Sequence, residues 1–176
     1  MPAAADRGLM LALAGITVLL ASTLAAYRTP GPQGPDAPPG AFSAYRAGAI
    51  LRDLAGNGIP HPIGSPANAQ FRAAIVERLS ALGYVSELQS GFVCNADGVC
   101  GNPVNIVARL GGGSQDRDAV LLAAHYDSVP AGPGASDDGA AVASVLEIAR
   151  IVAARPPRRP IVLLISDGEE AGLLGA

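Results

Sequence analysis

Two runs of this chain, Ala119–Ala124 and Ile161–Ile165, are apolar at every position rather than at alternate ones. That pattern belongs to strands expected to be buried on both faces, as in the middle of a parallel sheet. Between them, residues 140–154 repeat with a helical period. Val142, Val145, Leu146, Ala149 and Val152 share one side, Glu147 and Arg150 take the other, and Pro156 and Pro157 follow as a stop. A strand, a helix and a strand in this order make a right-handed crossover of an α/β sheet.

Ligand-handling groups in such a sheet collect beyond the carboxyl ends of its strands. Each apolar run here is followed at once by polar chemistry. His125, Tyr126, Asp127 and Ser128 follow the first run and Asp167, Gly168, Glu169 and Glu170 follow the second. Asp137, Asp138 and Gly139 stand where the intervening loop enters the helix. One imidazole with convergent carboxylates is a donor set for divalent zinc, and a spare acid remains for proton transfer.

If the strand continues through Tyr126, His125 and Asp127 point to the same side, and Asp127 is placed to accept the imidazole proton not used for metal. The competing reading is a strand-end histidine and a turn aspartate. Asp137 suits a bridging carboxylate, leaving Asp138 to cap the helix, although either acid alone suits an N-cap. The adjacent Glu169 and Glu170 repel each other without a cation or a proton between them. Their competing role is the charged start of a helix. Ser136 lacks the glycine spacing and the preceding strand of a nucleophile elbow.

Upstream, residues 42–54 read as a helix. A second begins at cap Ser65 with Pro66 in its first turn and ends at Gly83, both helices lying on one face of the sheet. Residues 84–90 and 105–110 read as strands, with Gly111–Gly113 closing the latter and 116–118 forming a solvated turn. His61, flanked by Pro60 and Pro62, reads as a structural or surface residue. Cys94 and Cys100, with five residues of a turn-forming stretch between them, suit a disulfide; unpaired thiols or a zinc pair are the alternatives.

Residues 8–26 carry no charge, and nineteen residues of helix span about 28 Å, close to a bilayer's hydrocarbon thickness. The segment 1–26 is therefore read as a membrane anchor, or as a cleaved signal or buried soluble helix. Residues 27–41, rich in proline and glycine, read as an extended linker, and 42–176 as the folded domain. An exported chain meets an oxidising compartment, which agrees with the disulfide. All twelve basic residues are scattered arginines and the net charge is -3, so no basic stripe exists to hold nucleic acid.

The segments 125–128, 134–139 and 167–175 together resemble metallopeptidase family twenty-eight, which includes zinc aminopeptidases, glutamate carboxypeptidases and glutaminyl cyclases. Residues 61–66 and 105–109 look like its membrane-anchored, vacuolar-type members. The resemblance implies an α/β three-layer sandwich with a mixed, centrally parallel sheet, truncated at the C-terminus. It implies two zinc ions, with His125 binding one, Asp137 bridging both and Glu170 binding the other. Glu169 would be the general base and Asp127 would orient His125. Peptide or protein N-termini would be the substrates, attacked by water activated at zinc. A further aspartate and histidine complete the family's site, so this chain is expected to act as an incomplete, poorly active part of an aminopeptidase-like enzyme. The catalytic part would lie outside the cytoplasm, membrane-anchored or secreted after signal cleavage. The alternatives are a noncatalytic truncated relative and a single-zinc acyltransferase of the glutaminyl cyclase type. Substrate side-chain preference and oligomeric state are not given by the sequence.

Overall fold

The computed structural model describes residues 3–29, 31–56, 58–111, 118–155 and 157–175. Gly112, Gly113, Asp116 and Pro156, to which the sequence assigned loop and helix-stop roles, lie outside them. The chain divides into two units, residues 1–32 and 33–176.

The first unit holds helix α1 (Ala3–Ala26). Its stretch Arg7–Ala26 has a mean hydropathy of 2.2, long and apolar enough to cross a membrane. The hydroxyls of Thr17, Ser22 and Thr23 each donate back to a helix carbonyl three or four residues earlier, so none is left to be solvated from outside.

The second unit begins with α2 (Ala44–Ala55) and α3 (Pro66–Ala81). Both start as local chemistry dictates. Ser43 Oγ accepts the Arg46 N–H, Ser65 Oγ accepts that of Asn68, and Pro66 supplies a preset first turn. Then come β1 (Ser86–Ser90), the short hairpin strands β2 (Val93–Cys94) and β3 (Cys100–Gly101), β4 (Val104–Leu110) and β5 (Val120–His125). An irregular turn, Ala135–Gly139, leads into α4 (Ala140–Ala154), and β6 (Ile161–Ser166) closes the series. The main sheet runs β1-β4-β6-β5. β5 and β6 are parallel, as the crossover through α4 requires, and the other two pairings are antiparallel.

One face of the sheet carries the core. Ile106, Ala108 and Leu110 of β4, Leu163 and Ile165 of β6, and Ala124 and Tyr126 pack with Phe71, Ile75 and Leu79 of α3 and with Val142, Val145, Leu146 and Ala149 of α4. The expectation of strands buried on both faces fails for β5, where Val120 is 45% and Leu121 58% exposed. Among the described residues β5 is an edge strand and the back face has no helical layer. Its unbroken apolar run therefore has a covered side only where it meets α4.

Glu147, expected on the outer side of α4, is 0% exposed. α2 lies over α4 and covers it. Burial of a carboxylate is costly unless it is paired and fully hydrogen-bonded, and Glu147 is both. Its oxygens accept Arg46 Nε at 2.9 Å, Arg150 Nε and Nη2 at 2.8 and 2.9 Å, and the Ser43 N–H at 3.2 Å. Arg46 also donates to the carbonyls of Ala37 and Ala41, and Ser43 Oγ to that of Gly34. Part of the stretch read as an extended linker is thus hydrogen-bonded to α2 and its cap.

Burial alone would raise the Glu147 carboxyl, but Arg150 and Arg46 outweigh it and hold the group below its ordinary value. Stability from such a group is present above the ordinary carboxylate value and is lost as pH falls through the depressed one. Glu147→Ala should cost about 3 kcal/mol, within the range for breaking a buried ion pair, by denaturant unfolding at neutral pH. The gap between wild type and Glu147→Gln should narrow in acid. An unchanged midpoint in either variant would show that this network does not hold α2 to α4.

Candidate active site

The parallel register sets His125 opposite Ser166, and the Tyr126 N–H extends the pairing by donating to the Ser166 carbonyl at 2.9 Å. Both strands thus end together, and the residues beyond them fall at one edge. His125 is nearly buried. Its Nε2 lies 3.2 Å from Asp137 Oδ1 and 3.8 Å from Glu169 Oε2. Its Nδ1 lies 3.2 Å from the Asp127 carbonyl and 3.5 Å from Asp127 Oδ1. The ring therefore turns one nitrogen to the strand-end backbone and the other to the acids. That leaves Nε2 free to ligate if Nδ1 carries the proton.

Asp127 does more than the sequence suggested. It is 1% exposed, and its two oxygens accept the backbone N–H groups of Glu169 and Glu170, each at 3.0 Å. One buried carboxylate thereby ties the turn after β6 to the loop after β5. Alternation along a strand can place Asp127 beside His125 but cannot reveal amide partners forty residues away.

The helix start that was the competing role of Glu169 and Glu170 is not formed among the described residues. Residues 168–174 instead form successive turns, with Gly172 and Leu173 N–H groups donating to the Glu169 carbonyl and that of Leu174 to Gly168. Gly168 adopts a φ of 74°, a left-handed conformation that suits glycine and reverses the chain just before the two glutamates. Asp138 does not cap α4. Its Oδ2 accepts the His125 N–H at 3.3 Å, and among the described residues no side chain caps that helix. The acid second in the pair serves the strand end because the turn before α4 carries it back over β5.

Ligand atoms of His125, Glu169 and Glu170 all lie within 4.8 Å of one another. Asp137 stands outside that trio, with its side chain 83% exposed, yet is in hydrogen-bond reach of Nε2. His125 is raised above its ordinary value: burial lowers it, but the hydrogen bond its ring donates to Asp137 and the charges of Asp127, Glu169 and Asp138 prevail. Glu170 is also raised, by burial and then by the negative charges of Asp137 and Glu169. Several acids face one imidazole, and the ion pairs of Asp127, Asp137 and Glu169 all go to that ring. Oxygen and imidazole donors carrying excess negative charge fit a divalent zinc.

His61 is buried rather than superficial, and outside this donor group. Its ring stacks on Phe71 at 4.2 Å, while its N–H donates to Ser128 Oγ at 2.8 Å and its carbonyl accepts the Ser128 N–H. It props the loop that follows His125. The sulfurs of Cys94 and Cys100 are joined across the β2–β3 hairpin. From that hairpin Asn95 Nδ2 donates to the Gly172 carbonyl at 3.2 Å, a support for the glutamate turn that no spacing signalled.

A mixed sheet with its crossover helix and a His–Glu–Glu cluster at the strand ends defines a zinc exopeptidase-like α/β protein. Residues 105–176 match the model of Peptidase family M28, and over those residues the chain resembles that family. It is 38% identical over 119 residues to a vacuolar membrane protease of Candida albicans, an alignment covering 66% of this chain and 14% of that protein. Among solved structures it is similar to a zinc-dependent exopeptidase from Parabacteroides distasonis (25% identity, TM-score 0.62, covering 73% of this chain and 47% of the other). It is equally similar to a glutaminyl cyclase from Tannerella forsythia (25%, 0.61, 72% and 47%). The chain thus spans about a seventh of that curated relative and about half of these solved chains.

Asp127→Asn is isosteric but offers only one acceptor where two amides converge. Removing a buried partner should destabilise the fold by about 1 to 3 kcal/mol, and amide exchange should quicken at Glu169 and Glu170. Unaltered exchange at those two amides would remove Asp127 from this role.

Proposed function

We propose that this chain forms the zinc-binding and proton-transfer edge of a family M28 exopeptidase, aminopeptidase-like, acting on the N-termini of peptides or proteins. The observation that carries the reading is the convergence of His125, Glu169 and Glu170 donor atoms within 4.8 Å at the ends of two parallel strands. His125 Nε2, Asp137 and Glu170 would hold the metal, with Asp137 between two ions. Bound zinc would supply Lewis acidity, polarising a substrate carbonyl and acidifying water. Glu169 would receive the proton at a carboxylate oxygen and return it to the leaving amine; its side chain, more exposed than that of His125, lies 3.8 Å from His125 Nε2. Asp127 fixes the backbone of both glutamates and faces Nδ1 of His125.

The described residues supply three of the five ligands implied by the family resemblance, so zinc should be held loosely and turnover by this chain alone should be low. Helix α1 and the name of the Candida albicans relative support a membrane-anchored protein. The disulfide supports an extracytoplasmic face, with secretion after signal cleavage as the alternative. A glutaminyl cyclase-type acyl transfer is the second reading, favoured by the equal structural likeness to such an enzyme.

Zinc titration of the detergent-solubilised chain against a competing chelator tests the site. Glu170→Ala and His125→Ala should each abolish measurable affinity. Glu169→Gln should keep the metal and lower any hydrolysis of an aminoacyl reporter by about 10²- to 10⁴-fold, the usual contribution of general acid–base catalysis. Zinc affinity indifferent to His125→Ala and Glu170→Ala would overturn the assignment. Cyclisation of an N-terminal glutamine peptide without reporter hydrolysis would favour the second reading.

A further inference from the structure

Asn105 stands at the start of β4, where that antiparallel strand meets the departing end of β6. Its side-chain amide makes two bonds to one segment. Oδ1 accepts the Asp167 N–H at 3.0 Å, and Nδ2 donates to the Gly175 carbonyl at 2.6 Å. Asp167 and Gly175 are the two ends of the turn that carries Glu169 and Glu170. A primary amide is suited to this because it offers an acceptor and a donor in one plane. A carboxylate could serve only the first partner.

The closure is tight. A Cβ on Gly175 would run into the Asp167 carbonyl and the Asn105 amide, so the turn's two ends approach each other as only glycine allows. Asp167 is itself anchored, with Oδ1 accepting Asn68 Nδ2 of α3 at 2.9 Å and Oδ2 accepting the Val104 N–H at 3.0 Å. Asp127 holds the middle of the turn by its two amides, and Asn105 holds both ends. Among the described residues the Glu169 and Glu170 side chains make no hydrogen bond, and Glu169 approaches His125 only to 3.8 Å, so their position follows from where the backbone is pinned.

We propose that Asn105 is a positioning residue for the glutamate pair: by clasping the two ends of the 167–175 turn it sets where both carboxylates stand relative to His125. The proposal rests on the zinc reading for its functional consequence, but the clasp itself does not depend on metal. It predicts that Asn105→Asp, nearly identical in size, loses the donor to Gly175 and behaves like Asn105→Ala at the site.

Two measurements on the full chain in detergent separate these points. In metal-free protein, hydrogen exchange at the amides of Gly172, Leu173 and Leu174 should accelerate by about tenfold in both variants, the factor expected from losing one or two hydrogen bonds. The β4–β6 ladder should keep wild-type protection. In zinc titrations both variants should bind about 10- to 100-fold more weakly, the usual effect of removing a residue that orients metal ligands. Wild-type exchange across the turn, or acceleration spread evenly through the sheet, would overturn the proposal. So would wild-type zinc affinity in both variants. Failure of the wild-type chain itself to bind zinc would contradict the function proposed above, and the metal-free exchange would still decide whether Asn105 holds the turn.

Discussion

The parallel pairing of β5 with β6 is the constraint on which the rest depends. It exists because two apolar strands are joined by a helix long enough to cross over and return on the core side of the sheet. In that register both strands stop at the same height, so His125 and the Glu169–Glu170 turn arrive at one edge from positions more than forty residues apart. Asp127 then converts neighbourhood into geometry. A carboxylate buried between the two strand ends is tolerable only because it accepts two amides, and in doing so it fixes the backbone of both glutamates. The same residue faces His125, so the acids and the imidazole share one support.

The molecule handles buried negative charge in two contrasting ways. Under α2, Glu147 is matched by Arg46 and Arg150 and by a backbone N–H, which leaves the carboxylate satisfied and serves to dock one helix on another. At the strand ends the acids meet a single imidazole, and Glu170 is pushed upward instead of being relieved. A satisfied cluster is architecture, whereas an unrelieved one beside an accessible edge is a place for a cation. The arginines that neutralise Glu147 come from α2 and α4, and among the described residues the ion pairs of the site acids involve no arginine.

Much of this was legible in the residues. The helix 140–154, the Ser65 cap and the crossover follow from periodicity and local capping, which are short-range effects. The edge position of the candidate ligands follows from the topology those elements impose. Asp127 as a double amide acceptor, Asn105 as a clasp and Asn95 reaching Gly172 were not legible, because each joins segments whose separation no local pattern encodes. Glu147 misled for a related reason. Its place on α4 looked solvent-facing by helical period, and only the covering helix with its arginine made burial affordable. β5 misled in the opposite direction: an unbroken apolar run records what a strand can be buried in, while the described residues cover just one of its faces.

Zinc K-edge absorption on the zinc-loaded chain, with His125→Ala beside it, addresses the central claim most directly. The account predicts a coordination sphere of oxygen donors with one imidazole and no sulfur, at distances near the ~2.0 to 2.2 Å usual for such ligands, and loss of the imidazole signature in the variant. Sulfur ligation, or an imidazole signature that survives His125→Ala, would place the metal elsewhere and contradict it.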